Sequence, residues 1–469
     1  MYEIGCGVAE ITPAVGTQLS GFIFRENRPS TGIDDPLFVR ALALRSAGQV
    51  FWLVDYELLG IGADLQRRIF TELRDGLGEL FLPELCTIVA VHNHSGPPTM
   101  SLRGEAKLSP AYIDLLCCAT TQAARAAVEN LQPARLEKAS IEISGLTYNR
   151  RALLVDGRVS MAVNPDATVV RRGPVDHRLT LLVWKSLAGH NLAAAVHFAC
   201  HGVAVCTQSI GNDIPGAITR HFEHTLGVPC LFLQGAAGDV NPLVVSSERA
   251  EMLPWVAQFE TAVYDLLDRL HPIESEPVTV RSETLALDYI PLPPRQQVLN
   301  QIQQFERIAL GDVSSPEVAG AVRRLGDLMN VPPGSIPDAH KAAYCAQALL
   351  ASHRDILAVI DREGFPDSHP LHLAVWRLGG VALAFAGAEL FSQTGLKLRA
   401  LSSELDVLPV TYATPVVGYI PDSDAMELGG YEVDFAWHFY GNPAPFAPQS
   451  ELHVVDGFHR LLKAVYQST

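Results

Sequence analysis

The chain has 469 residues, of which 48% are hydrophobic and 18% are charged, the composition of an ordinary globular protein. Its length allows one large catalytic domain or two medium ones, with enough core to bury an active site. The formal net charge of −16 excludes nucleic acid as a partner, because phosphates require a basic surface. The same charge disfavours electrostatic docking on anionic membranes.

No segment of the sequence predicts export or insertion into a membrane. Residues 1–5 carry neither the basic nor the apolar part of a signal peptide. The longest apolar stretch, 192–206, contains two histidines and is too short to span a bilayer. We therefore expect a cytoplasmic protein without membrane insertion.

The eight cysteines form no CxxC pair, and most lie within apolar runs. A reduced cysteine in such a run behaves as a small hydrophobic residue, so we predict structural cysteines. Cys200 and Cys206 flank His201, and a thiolate metal ligand there is the alternative.

Short apolar runs alternate with amphipathic stretches along the chain, which is typical of an α/β protein with buried strands. In chain order, the predicted strands are 50–54, 86–91, 192–198, 230–233, 381–385 and 407–412. Helical periodicity between them predicts helices at 63–77 and 110–131.

The stretch 291–364 differs from the rest of the chain in its hydrophobic periodicity, which predicts a helical insertion. Helical periodicity covers 296–310, 317–329 and 339–362, with proline-rich breaks between these segments. Such an insertion could be a lid, a wall that sets specificity, or the interface of a homo-oligomer. The sequence does not choose among these roles.

Several predicted strands run directly into a polar residue that can bind metal. Sites in open α/β sheets form beyond the carboxyl ends of the strands. The first instance is His92-Asn93-His94-Ser95-Gly96-Pro97, which follows the predicted strand 86–91. Residues two apart in extended backbone face the same side, so both imidazoles could point at one ion. Alternatively, one binds metal while the other assists, or both only cap the strand.

The second instance lies at 194–202. His197 falls inside the predicted strand, which favours a core or supporting role, whereas His201 at the strand end is the better ligand candidate. Downstream, Asp213 could orient an imidazole by a carboxylate–histidine contact. It could equally cap the helix that begins near Pro215.

Three further segments complete the candidate site. The small-residue loop after 230–233, which holds Gly238, Asp239 and Asn241, suits close approach of backbone to a substrate or simply a tight turn. Glu389 follows an apolar strand, an unusual place for a carboxylate that is neither paired nor bound to metal. It could also favour the positive end of a helix starting at residue 390. Tyr419, in 416–421, carries no signal by itself.

Taken together, the ordered pieces resemble the catalytic domain of the neutral, non-lysosomal ceramidase family. The matching segments are Gly7-Val8-Ala9-Glu10-Ile11-Thr12-Pro13, Asp35-Pro36-Leu37, the His92–Pro97 motif, Asn149-Arg150, His201-Gly202, Gly238-Asp239-Val240-Asn241-Pro242, Glu389 and Gly418-Tyr419. The resemblance spans nearly the whole chain, with 291–364 poorly matched. It implies a single α/β catalytic domain over 1–469, with a large mixed sheet flanked by helices and the insertion at 291–364.

The resemblance also implies a ligand set and catalytic groups. One zinc ion per chain would be bound by His92, His201, Glu389 and Tyr419. His94 would transfer protons or bind substrate, and Arg150 would lie near the scissile amide, where Tyr419 could share its catalytic role.

Two departures from the family bear on the substrate. Asn241 replaces the serine of the family's Gly-Asp-Val-Ser-Pro loop, which puts any role of that hydroxyl in doubt. The chain also ends soon after the catalytic segment, without the β-sandwich domain of true ceramidases. We therefore expect the zinc chemistry to be retained and the lipid substrate to be replaced by a small soluble amide.

The predicted function is that of a zinc metallohydrolase acting on C–N bonds other than peptide bonds. Metal-activated water would attack the carbonyl, and His94 would protonate the leaving nitrogen. Variants of this prediction are hydrolysis of an ester, lactone or cyclic imide, and a ceramidase proper. A serine or cysteine hydrolase is disfavoured because no G-x-S-x-G motif is present. Outside the enzymes, a metal-containing binding protein is the alternative.

Overall fold

The computed structural model describes residues 2–161, 168–329, 331, 336–362 and 366–467. The strands in the first half of the chain are β1 (Tyr2–Glu10), β2 (Gly32–Ile33), β3 (Phe38–Ser46), β4 (Gln49–Tyr56), β5 (Cys86–Ala90), β6 (Gln132–Glu142), β7 (Thr147–Asn149), β8 (Ala152–Leu154), β9 (Val159–Ser160), β10 (Val169–Arg172), β11 (Arg178–Ser186), β12 (Asn191–Phe198), β13 (Ser209–Ile210) and β14 (Cys230–Gln234). Those in the second half are β15 (Val240–Pro242), β16 (His271–Pro272), β17 (Thr279–Asp288), β18 (Ser368–Leu378), β19 (Val381–Ala386), β20 (Glu389–Leu390), β21 (Asp406–Val410) and β22 (Tyr419–Ile420).

The helices follow the same chain order. They are α1 (Ala63–Leu77), α2 (Pro110–Glu129), α3 (Asp213–Leu226), α4 (Arg249–Val256), α5 (Gln258–Asp268), α6 (Arg295–Ala309), α7 (Ala319–Leu328), α8 (Ala339–Ile360), α9 (Ser392–Arg399), α10 (Ser423–Leu428), α11 (Tyr431–Asp434), α12 (Ala436–Phe439) and α13 (Ser450–Tyr466). None of the helices within the described residues combines the length and the apolar character that crossing a membrane would need.

Two mixed sheets form the centre of the molecule. The larger has nine strands in the order β14-β12-β11-β6-β1-β3-β4-β5, with β16 paired to β6. The smaller has the order β17-β18-β19-β21. Three strand pairs in these sheets are parallel, namely β4 with β5, β12 with β14, and β19 with β21, and the other pairs are antiparallel.

The two sheets pack face to face, and helices cover their outer faces. The ring centroids of Phe51 on β4 and Trp376 on β18 lie 6.0 Å apart in the shared core. Other residues of the larger sheet point outward. Trp52 of β4 packs with α1 and α2, and Phe232 of β14 packs with α3 and α5. Helix α13 covers the smaller sheet. Because period-two side chains are buried on both faces, these strands read as continuous apolar runs.

The larger sheet curls so that its two ends approach each other. Asp55 on β4 accepts a hydrogen bond from the Phe232 amide on β14 at 3.0 Å. Gln234, at the end of β14, donates to the carbonyl of Val91 just beyond β5 at 2.9 Å. The amide of Ala90 in turn donates to the carbonyl of Tyr412, which follows β21. The carboxyl ends of all three parallel pairs therefore meet in one region.

The predicted α/β class with a large mixed sheet flanked by helices is confirmed. All six predicted strands exist, and helices α1 and α2 match the two predicted helices within two residues. The face-to-face packing of two sheets was not predicted. Within the described residues no cysteine is disulfide-bonded, as expected, and the Cys200 thiol contacts the carbonyl of His201 rather than the neighbouring imidazoles.

The stretch predicted as a helical insertion contains α6, α7 and α8. Their apolar faces form one cluster, in which Phe305, Leu325 and Leu349 are buried, and Phe439 of α12 packs against it. Residues 330, 332–335 and 363–364 of the predicted insertion lie outside the described residues. That this stretch is an insertion within a single domain over 1–469 stays a prediction.

Candidate active site

Each parallel strand pair delivers at least one candidate ligand to the region where the pairs meet. His92 and His94 follow β5, His201 follows β12, and Glu389 follows β19. The ligand atoms of the three histidines lie within 4.8 Å of one another, and all three side chains are buried. The donor cluster, as the term is used below, consists of His92, His94, His201, Glu389 and Tyr419.

Backbone carbonyls orient two of the imidazoles. Nδ1 of His92 lies 2.9 Å from the carbonyl oxygen of Leu59, and Nδ1 of His201 lies 3.0 Å from that of Ala237. A carbonyl only accepts, so each Nδ1 carries the proton and each Nε2 keeps a free lone pair. Burial lowers the pKa of His92 to about 3 and that of His201 well below its usual value, which keeps both imidazoles neutral. Neutral imidazoles oriented through the other nitrogen are typical of metal ligands.

The third imidazole, His94, is held mainly by packing. Its ring lies 4.9 Å from the Phe22 ring by centroids, and its Nε2 is buried without a hydrogen-bond partner in the described residues. Gly21 lies so close that a Cβ there would come within 2.4 Å of Nδ1. A buried, unpaired nitrogen is costly, which favours a bound ion or substrate as its partner.

The backbone at the donor cluster is strained. His92, Asp213 and Tyr412 adopt left-handed φ values of 62°, 50° and 58°, which non-glycine residues rarely do. The expectation that His92 and His94 continue an extended strand is therefore wrong, because β5 ends at Ala90. The left-handed turn at His92, and not strand alternation, brings the two rings to 4.8 Å between centroids.

Glu389 lies beside His92 among three tyrosines. Its Oε2 is 3.3 Å from Nε2 of His92 and accepts from the Tyr412 hydroxyl at 3.2 Å, while its Oε1 accepts from the Tyr440 hydroxyl. β20 and β22 are parallel and place Glu389 directly opposite Tyr419. Burial raises the pKa of Glu389 to about 7, so the carboxylate needs a positive partner to stay ionised at neutral pH.

Gly238 allows the loop after β14 to approach Glu389. A Cβ at this position would lie 2.9 Å from the carbonyl oxygen of Leu390 and 3.0 Å from that of Glu389. The Gly238 amide donates to Leu390 at 2.9 Å. This glycine therefore serves close backbone packing behind the ligand.

Arg150 lies against Tyr419. Its Nη2 donates to the Tyr419 hydroxyl at 3.1 Å, and its Nη1 lies 3.5 Å from Oδ1 of Asn241. Glu432 accepts from Nε of Arg150 at 2.9 Å and also binds Arg151. The guanidinium is thus fixed beside the donor cluster, and Asn241 contacts it through its amide oxygen.

Asp239 ties these segments together without reaching the imidazoles. Its carboxylate accepts from the Ser392 amide at 2.7 Å and from the Asn149 side chain at 2.5 Å, and its carbonyl accepts from the Arg150 amide at 2.8 Å. It therefore positions the start of α9 and Arg150. Burial raises its pKa to about 6.

The structure does not place Asp213 and His197 in the predicted supporting roles. The Asp213 carboxylate accepts from the amides of Ala204 and Val205 at 3.1 and 2.9 Å, and from the next amide of α3. It contacts no imidazole, because carbonyls already occupy Nδ1 of His92 and His201. His197 hydrogen-bonds the carbonyl of Pro409 at 2.7 Å between the two sheets, as a core residue.

Several residues of the site were missed by sequence reasoning. They are Arg25, Glu105, Tyr412, Glu432 and Tyr440. Tyr412 alone carried a signal, since it ends the predicted strand 407–412. Its ring stacks on His92 with centroids 4.2 Å apart.

A cavity of about 80 Å³ adjoins the donor cluster. Its lining residues come from the sheet ends, the loop at 102–105 and the helices α7, α11 and α12: Gly21, Ile23, Leu59, His92, His94, Leu102, Arg103, Glu105, Leu328, Tyr419, Tyr431, Phe439 and Tyr440. The arrangement combines metal-capable donors, a fixed guanidinium and a mostly apolar pocket, as hydrolytic metal sites require.

Comparison with known proteins identifies the family and the fold of this chain. The family model for the N-terminal part of neutral/alkaline non-lysosomal ceramidases matches residues 2–322. The chain is also similar to the crystal structure of neutral ceramidase from Pseudomonas aeruginosa, with 18% identity and a TM-score of 0.71, over 100% of this chain and 75% of that one. A structure of a ceramidase complexed with C2 gives 18% identity and a TM-score of 0.69 over the same shares.

At this identity the likeness to solved structures establishes the fold alone. A comparison with curated proteins gave no match. The family model, however, matches more than half of the chain. The protein therefore belongs to the neutral/alkaline non-lysosomal ceramidase family.

Proposed function

We propose that this protein is a zinc-dependent hydrolase that cleaves an amide-type C–N bond of a small soluble substrate with activated water. Membership of the ceramidase family supports hydrolysis of an amide bond. The observation that carries the metal proposal is the pairing of Nδ1 of His92 and His201 with carbonyls, which leaves two neutral Nε2 donors beside Glu389.

The residues fit a single zinc ion. Two imidazole nitrogens, one carboxylate and the hydroxyl of Tyr419 make a set of the kind that zinc accepts. The buried carboxylate of Glu389, whose pKa burial raises to about 7, gains from a positive charge beside it. Tyr412 and Tyr440 donate to its two oxygens and fix its direction, the outer support usual for ligating carboxylates.

A zinc ion held by these residues would supply a bound water of pKa about 7 and a Lewis acid for the substrate carbonyl. The protein's own residues then handle the charge and the protons. Arg150 and Tyr419 lie together beside the cluster and can donate to the oxygen of the substrate carbonyl as it gains negative charge. Fixed donors of this kind need no reorganisation during the reaction.

His94 is the proton carrier in this proposal. Burial lowers the pKa of His94 well below its usual value, so the ring is neutral and one of its nitrogens is free to accept a proton from the attacking water. It then passes that proton to the leaving nitrogen as the C–N bond breaks and the new C–O bond is complete. The products are a carboxylic acid and an amine.

Metal analysis combined with an activity panel tests the proposal. The protein should contain one zinc ion and hydrolyse N-acyl amides, and a chelator should remove both properties. H92A should lose zinc and turnover together, whereas H94Q should keep zinc and lose turnover. Loss of zinc in H94Q would make His94 a third imidazole ligand, since its ligand atoms also lie within 4.8 Å of the others.

The same panel separates the alternatives. Esters, lactones and cyclic imides cleaved faster than amides would shift the substrate class while keeping the metal. Faster cleavage of ceramide than of soluble amides would make the protein a ceramidase proper. Bound zinc without turnover of any of these compounds would favour a binding protein.

A further inference from the structure

The cavity beside the donor cluster is lined by two chemically distinct groups of side chains. His92, His94 and Tyr419 of the donor cluster form one group, and the apolar side chains of Leu102, Leu328 and Phe439 form the other. These last three residues are called the end wall below. Leu328 is the last residue of α7 and Phe439 the last of α12. Both lie outside the 2–322 stretch that matches the family model.

The loop that carries Leu102 is anchored to its surroundings on several sides. The Arg103 amide donates to the carbonyl of Phe439 at 2.9 Å, and its guanidinium donates to Asp355 of α8 at 3.0 Å. Tyr344 of α8 donates to the carbonyl of Gly104 at 2.9 Å. These contacts join the loop, α8 and α12 into one unit that ends the cavity.

Space at the anchored loop is also tight. Gly104 has a φ of +85°, and a Cβ there would come within 3.0 Å of the Cβ of Ala348 on α8. Leu328 and Phe439 are 6% and 9% exposed, so the end wall is packed from behind by the helical cluster. The cavity volume of about 80 Å³ is far below the roughly 300–1,000 Å³ of pockets that enclose drug-sized ligands.

We propose that the end wall sets substrate size, so that the protein hydrolyses amides in which one group flanking the scissile bond is short and apolar. This proposal rests on the proposed amide hydrolysis and names its substrate class. A chain that extends past the donor cluster meets aliphatic and aromatic carbons, which favour a small hydrocarbon group and offer a long one no space. Helix α7 thus contributes Leu328 to a wall that sets specificity.

Two homologous series of amides test the inference with the zinc-loaded protein. In one, the acyl group runs from acetyl to palmitoyl on a fixed small amine; in the other, a fixed acetyl group is joined to alkylamines of rising length. We expect kcat/KM to fall steeply beyond a short chain in at least one series, by about 10-fold or more for the first homologue that does not fit. Equal rates for short and long chains in both series would overturn the inference while leaving amide hydrolysis intact.

A shorter side chain at position 328 should allow longer substrate chains to be hydrolysed. L328A should raise kcat/KM for the first excluded homologue by about 10-fold or more relative to kcat/KM for the shortest amide. L328V, a milder change, should shift it less in the same direction, which covers the case in which L328A does not fold. L310A is the matched control, because Leu310 lies in the same helical segment with 90% of its side chain exposed. An unchanged limit in folded L328V and L328A would overturn the role of Leu328.

Binding of the straight-chain carboxylic acids, the expected products, gives a readout that does not depend on turnover. Calorimetry on the zinc-loaded protein should show the same length limit in the wild type and its shift in the Leu328 variants, if the acyl group occupies the cavity. Absence of zinc or of hydrolysis for every amide would count against the proposed function. Tight binding of palmitate by the wild type would contradict the size limit itself.

Discussion

The donor cluster and the helical segment that forms the end wall hold their side chains in different ways. At the donor cluster, each parallel strand pair supplies a ligand from one strand and the group that orients it from the other. His92 follows β5 and is oriented by Leu59 after β4; His201 follows β12 and is oriented by Ala237 after β14. Glu389 follows β19 and accepts from Tyr412 after β21.

The end wall follows no such rule. Its residues are carried by short helices and a loop, and apolar packing with a few side-chain hydrogen bonds holds them in place. Strand ends in register fix donor positions to a fraction of an ångström, as catalysis needs. Helix packing tolerates changes in side-chain volume, which suits a surface that sets substrate size. We therefore expect the proposed chemistry and the proposed specificity to be separable by mutation.

Removal of one imidazole ligand should have the largest effect. H201A should lose bound zinc and all measurable amide hydrolysis, because two oriented nitrogens cannot be replaced by one. Metal analysis and turnover check this. H271A, at an exposed histidine outside the donor cluster, should match the wild type. Full activity of H201A would contradict the proposal that residues at the strand ends bind the metal and carry out hydrolysis.

Removal of the fixed guanidinium should lower the rate without removing the metal. R150Q should reduce kcat by about 100-fold to 1,000-fold, the usual cost of one lost donor to the developing oxyanion. Zinc content should stay at one per chain, since Arg150 contacts only one of the proposed ligands, Tyr419, and the imidazoles keep their orienting carbonyls. A kcat unchanged in R150Q would show that this side chain only supports the fold.

Loss of an orienting hydroxyl should weaken zinc binding moderately. Y440F removes the donor to Oε1 of Glu389 and should lower zinc affinity about 10-fold to 100-fold, as for other groups that support metal ligands. Y344F removes a comparable hydroxyl, which anchors the loop that carries Leu102, and should leave zinc affinity unchanged. Competition with a chromophoric chelator measures both. Equal losses in the two variants would mean that the regions are not separable.

Acid should act on the helical segment through buried histidines. Burial lowers the pKa of His353 to about 4, and it lowers that of His438 well below its usual value, with nearby Arg103 and Arg324 acting in the same direction. Between pH 4 and about 6.5 the unfolded chain binds more protons at His353 than the folded chain does. Stability should therefore be complete above that window and fall as the pH decreases through it.

The effect of His353 is at most about 1.4 kcal/mol per pH unit. H353Q retains a side-chain donor for the carbonyl of Leu349 but cannot titrate, so its free energy of unfolding should vary less between pH 6.5 and pH 4. Denaturant titrations at several pH values measure this, with H271Q as the exposed control. The same pH dependence in H353Q and the wild type would exclude His353 as its source.

Sequence reasoning found the strands that carry the chemistry and missed most of the others. All six predicted strands belong to the three parallel pairs, which are buried on both faces and read as unbroken apolar runs. Antiparallel strands such as β6 and β17 alternate charged and apolar residues over one exposed face. Their patterns are weaker, so the second sheet and the face-to-face packing were not foreseen.

The amino-acid sequence by itself determined which strand ends carry His92, His94, His201 and Glu389, because local hydrophobicity and a following polar residue are features of neighbouring positions. Tyr419 and Arg150 were identified only through family resemblance. Tertiary structure alone decided that Tyr440 supports Glu389, that Asp213 and His197 serve the fold, and that Leu328 lines the pocket. Those contacts join residues far apart in the chain, and burial and geometry between distant segments leave no local pattern to read.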